Sequence, residues 1–70
     1  MIEIILKKLL WDEEIKERKY RVIARKELPF MPPLTADTIF IADGARYHVH
    51  KILTVDLDNH AVEVAVVWIS

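Results

Sequence analysis

Asp43-Gly44, set between TIFIA and ARYHV, constrains this chain more than any other pair of residues, and Gly44 is its only glycine. Asp-Gly at the centre of a two-residue loop fits a type I′ turn, in which both central residues need a positive φ. A loop of that length fixes the strand register. It sets Phe40 opposite Tyr47, Ile39 opposite His48 and Asp37 opposite His50.

Further along, Asp58 and Asn59 in LDNHA are turn formers, and AVEVAVVWIS follows as a β-branched strand. Three antiparallel strands are therefore expected over the second half of the chain. With the loop at Asp58-Asn59, alternation collects Phe40, Tyr47, Val49, Leu53, Val55, Val62, Val64, Val66 and Trp68 on one face, the expected core. Lys51 falls among them as a misfit, which points to a β-bulge near Lys51-Ile52 or to a place at the rim.

The opposite face collects Ile39, Ile41, His48, His50, Ile52, Thr54, Glu63, Ala65, Val67 and Ile69. That set is too apolar for a fully solvated surface, so either the N-terminal segment or a second copy of the chain is expected to cover it. The expected interface comprises Ile39, Ile41, His48, His50, Ile52, Val67 and Ile69.

All three prolines lie in LPFMPPLTAD, residues 28 to 37, a rigid extended connection. Before it, IKERKYRVIARKEL places Tyr20, Val22, Ala24 and Leu28 on one side and reads as a long strand. In residues 1 to 11, Ile2, Ile4 and Leu6 alternate as in a strand. Ile2, Ile5, Leu6, Leu9 and Leu10 also fit a helical stripe, but no N-cap residue precedes them. Strand is the preferred assignment, with WDEE as the turn after it; a helix there would make the fold α+β. The fold class expected is all-β: one domain over residues 1 to 70, built as a small five-stranded antiparallel meander or partly closed barrel.

A 70-residue chain buries only about 60% of the surface its unfolded form exposes, so folds of this size are commonly stapled by disulfides, metal or self-association. The absence of cysteine removes disulfides and every thiolate zinc motif. A net charge of −1 gives no global field for gathering nucleic acid or anionic membrane. The N-terminal residues lack the basic and long apolar stretches of a signal peptide, and no run is long enough for a membrane span; a cytoplasmic protein with no membrane partner is expected.

Two clusters could carry chemistry. His48 and His50 share a face if the strand is regular, with Asp37 across from His50, a permissive but weak metal-ligand pattern. The alternative expected here is a pair of structural histidines, with His50 hydrogen-bonded to Asp37 and no metal or other cofactor. The second cluster is basic. Residues 1 to 35 carry 8 basic and 6 acidic side chains and residues 36 to 70 carry 2 and 5. Lys16, Arg18, Tyr20, Arg21 and Arg25 combine cations with an aromatic ring as surfaces for single-stranded nucleic acid do. Against this, Lys and Arg also guard edge strands from pairing with other chains, and alternation divides this set between two faces.

Asp12, Glu13, Glu14 and Glu17 read as a solvated turn. The single serine is Ser70, and no glycine-rich phosphate loop exists, so no enzymatic activity is expected. The sequence points first to a non-enzymatic β-rich interaction or structural module whose partner is another protein or, as a homodimer, itself. A small-barrel nucleic-acid binder is the alternative.

Overall fold

The computed structural model describes residues 1–70. Five strands, β1 (Ile2–Asp12), β2 (Glu17–Leu28), β3 (Ile39–Ala42), β4 (Ala45–Asp56) and β5 (Ala61–Trp68), form one sheet in the order β2-β1-β5-β4-β3. The fold is all-β, as the alternation implies, and the helical alternative for the N-terminal segment is not borne out. β1 and β5 run parallel while every other neighbouring pair is antiparallel, so the sheet is mixed.

That parallel pairing explains why residues 1 to 11 read ambiguously. β1 sits between β2 and β5, and Ile4, Ile5 and Leu6 are consecutive and all buried. A strand flanked on both sides and buried on both faces carries a continuous apolar run, which mimics part of a helical stripe.

The hairpin at Asp43-Gly44 forms as expected, with φ of 51° and 78° at the two residues. Its register pairs Ile39 with His48 and Phe40 with Tyr47. The ladder stops at Ile39. Asp37 lies outside it, in a turn where the Thr38 amide donates to the Thr35 carbonyl (3.0 Å) and the Thr38 hydroxyl to the Pro33 carbonyl (2.7 Å). The expected pairing of Asp37 with His50 therefore does not occur, because these local hydrogen bonds turn the chain away before the strand reaches it.

The core consists of Ile4, Leu6, Val49, Val62, Val64 and Val66. Ile23, Ala24 and Leu28 of β2 and Phe40 of β3 pack against the same cluster although they belong to opposite edges of the sheet. The sheet is thus curled around this concave face, with Leu34 of the proline-rich connection packed against it, but β2 and β3 share no ladder and the barrel stays open. Val55 and Trp68 occupy the ends of this face and are 55% and 54% exposed, so their expected place in the core is corrected to its rim.

Two bulges on β4 account for Lys51. Val49 pairs with Val66 and Lys51 with Ala65, leaving His50 as an extra residue; Ile52 pairs with Val64 and Thr54 with Glu63, leaving Leu53 extra. Each extra residue reverses the alternation. Lys51 is paired with Ala65, an outer-face position, and Ile52 with Val64, where it nonetheless stays 46% exposed and outside the core cluster. A third irregularity, at Ile23 of β2, sharpens the curl between Leu6 and Lys7.

Candidate interaction surface

The outer face of the sheet is read off the ladders. On β1 it carries Glu3, Ile5, Lys7, Leu9 and Trp11; their β2 partners are Glu27, Arg25, Val22, Tyr20 and Arg18. On β5 it carries Ala61, Glu63 and Ala65, paired with Glu3, Ile5 and Lys7, and then Val67 opposite His48. His48 in turn faces Ile39, and Arg46 faces Ile41.

This face has two halves of different chemistry. Toward the start of β1 it is charged and internally matched: Lys7 Nζ donates to Glu63 Oε2 at 2.6 Å, and Arg25 lies 3.9 Å from Glu3. Toward the end of β1 it is apolar and open. Leu9, Trp11, Tyr20, Val22, Ile39, Ile41, Val67 and Ile69 are all exposed, with Trp11 at 56% and Ile41 at 70%.

No element of the chain covers this half. The N-terminal segment, one of the two covers expected, is itself a central strand of the sheet. The linker residue in contact with the core cluster, Leu34, packs on the concave side. The whole chain exposes 5277 Å² of accessible surface, where a compact monomer of this mass exposes about 4,500 Å²; the open groove between β2 and β3 adds to this as well as the outer face.

Of the residues expected at an interface, Ile39, Ile41, His48 and Val67 stand on this face, and Ile69 joins it at the end of β5, its amide donating to the Arg46 carbonyl at 2.8 Å. The bulges remove the other two. Ile52 takes the strand position paired with Val64, out of the outer-face alternation though still 46% exposed, and His50 is the unpaired bulge residue. Leu9 and Trp11 were not expected here. The parallel β1–β5 register, continued past Lys8 and Val66, sets them beside Val67 and Ile69, and nothing local in the sequence signals a parallel partner so far along the chain.

The basic candidates separate. Arg18, Tyr20 and Arg25 share the outer face with Trp11, Arg21 pairs with Lys8 on the concave side, and Lys16 lies in the β1–β2 turn with φ of 53°. The histidines do not converge either. His48 Nδ1 lies 3.3 Å from the Val49 carbonyl, His50 has no hydrogen bond to Asp37, and no three His, Asp or Glu side chains are grouped closely enough to hold a metal ion.

The Asp56 carboxyl is held below its ordinary pKa by its hydrogen bonds. It accepts from the Asn59 side chain (2.9 Å) and from the amides of Asn59 and Asp58 (both 3.1 Å), and these bonds favour its charged form and lower its pKa. Its role is to shape the β4–β5 turn, away from the apolar half of the outer face.

No helix of the chain is long and apolar enough to cross a membrane. No family model, curated protein or solved structure matches the chain.

Proposed function

We propose that this chain is a non-enzymatic β-rich interaction module that associates with a second copy of itself through the apolar half of its outer sheet face. The observation that carries this reading is the set of exposed apolar residues Leu9, Trp11, Tyr20, Val22, Ile39, Val67 and Ile69 on one face, contributed by β1, β2, β3 and the β5 end, with His48 and Arg46 of β4 between Val67 and β3. Exposed apolar surface of this kind marks contact sites.

Aromatic residues near the centre of an interface supply most of its energy, and Trp11 is the natural anchor. Apolar association is insensitive to salt, so the complex persists when electrostatic contacts are screened. Sedimentation of the unmodified chain over a range of concentrations tests the proposal.

A second reading is favoured by one specific observation: Arg18, Tyr20 and Arg25 share the open face with Trp11. Two exposed rings among cations could stack the bases of single-stranded nucleic acid. In that case oligonucleotide retention falls steeply with salt, Arg18→Glu reduces it, and Arg21→Glu, on the concave side, leaves it nearly unchanged. Failure to retain any oligonucleotide at low salt removes this reading.

A further inference from the structure

β2 and β3 are the two edges of the sheet, each paired on one side only. Along each edge, alternate residues direct amide and carbonyl groups outward, a template for another strand. The charges beside the template decide which strand can add. On β2 the apolar triplet Val22-Ile23-Ala24 is bracketed by Arg18, Lys19 and Arg21 on one side and by Arg25 and Lys26 on the other. Lys19 and Arg25 have acidic neighbours on the same hairpin, Asp12 and Glu3; Arg18, Arg21 and Lys26 have no ion-pair partner.

β3 has the opposite pattern. Ile39-Phe40-Ile41-Ala42 is bracketed by Asp37 and Asp43, and neither carboxylate forms an ion pair. β2 also carries Glu17 and Glu27 toward its ends, but the residues flanking its apolar centre, Arg21 and Arg25, are both cations; two β2 edges centred on each other would oppose these cations, and two β3 edges carboxylates, both unfavourable. A β2 edge against a β3 edge matches apolar centre to apolar centre and places unpaired cations beside unpaired carboxylates. Within one chain this match is not made: the edges border a groove of about 630 Å³ lined by residues including Ile4, Leu6, Ile23 and Phe40, with no ladder across it.

We infer that the β2 edge of one copy takes the β3 edge of a second copy, joining chains head to tail in a continuous sheet. This contact goes beyond the face-to-face association and does not depend on it. Because it joins two different surfaces, it closes as a ring or runs on as a filament. The charges on the edges then act as a selector of partner as well as a guard against indiscriminate pairing.

The test uses full-length chains carrying Trp11→Glu, which weakens the face contact; because the new carboxylate faces Arg18 across the hairpin, the edge cations read in the test are Arg21 and Lys26. One variant adds Arg21→Glu with Lys26→Glu. The other adds Asp37→Lys with Asp43→Asn, asparagine being tolerant of the positive φ at that turn position. At low salt the Trp11→Glu parent is expected to sediment at twice the chain mass of 8.2 kDa or more, and each variant alone as a monomer. The equimolar mixture is expected to associate again, since each reversed edge then meets its complement, and to dissociate as salt is raised. A monomeric parent, undiminished association of either variant alone, or a mixture no heavier than its components would overturn the inference. Persistence of the face contact is read separately, in chains that retain Trp11.

Discussion

Trp11 and Arg18 are cross-strand partners in the β1–β2 hairpin, on the open half of the outer sheet face. A ring that is 56% exposed beside a guanidinium contributes little to folding, so its effect should be felt in binding. This separates residues that hold the fold, grouped around Val64, from those available to a partner.

Replacing Trp11 with Glu should weaken self-association about thirtyfold, corresponding to the ~2 kcal/mol of a typical hot spot. The melting temperature of the dilute chain should change little, because the side chain is already largely in water. Sedimentation for the first quantity and circular dichroism for the second provide the check.

Val64 is fully buried at the centre of the core, whereas Val55, on the same face, is 55% exposed. Val64→Ala should cost about 2 kcal/mol and lower the melt of so small a domain by roughly 10 °C. Val55→Ala should stay within about 0.5 kcal/mol of the unmodified protein. Equal effects at the two positions in a urea titration would contradict the placement of the core.

The turns after β1 and β4 are built alike. Asp12 Oδ1 accepts from the Glu14 amide at 2.9 Å, as Asp56 Oδ1 does from the Asp58 amide at 3.1 Å, and the fourth loop residues, Lys16 and His60, have φ of 53° and 52°. Asp56 accepts three hydrogen bonds where Asp12 accepts one. Asp56→Ala should therefore lower the melting temperature more than Asp12→Ala.

Acid sensitivity follows from the same carboxylate. The pKa of Asp56 in the folded chain lies below its ordinary value of 3.8. Its contribution to stability is complete above that value and disappears as pH falls through the lower, folded-state pKa. Melts of the unmodified protein and Asp56→Ala should accordingly differ most above pH 3.8 and converge only as pH falls through the folded-state pKa beneath it.

Gly44 has φ of +78°, and a Cβ built there meets no atom within 4 Å. Gly44→Ala should cost about 1 kcal/mol through backbone strain alone. A much larger loss in denaturant titration would show that the loop is more tightly enclosed than its geometry indicates.

What was legible in the sequence was local. Asp43-Gly44 specifies its hairpin because two residues determine the turn, and the β-branched run from Ala61 specifies β5. The bulges at His50 and Leu53 were legible only as the anomaly of Lys51, since a bulge leaves no composition signature beyond a broken alternation. The parallel partnership of β1 with β5 was not legible, because the two strands are separated by most of the chain and joined by no helical crossover. That pairing is what brings Leu9 and Trp11 to the apolar surface, so half of the face stayed hidden while Ile39, His48 and Val67 were found.

Sedimentation equilibrium of the unmodified chain at a salt concentration of roughly 0.5 M, where edge charges are screened, tests the central claim most directly. The expected result is a mass that rises with concentration toward twice 8.2 kDa, together with a Trp11→Glu chain that remains near the monomer mass. A single species of 8.2 kDa at every concentration would contradict self-association through the outer face.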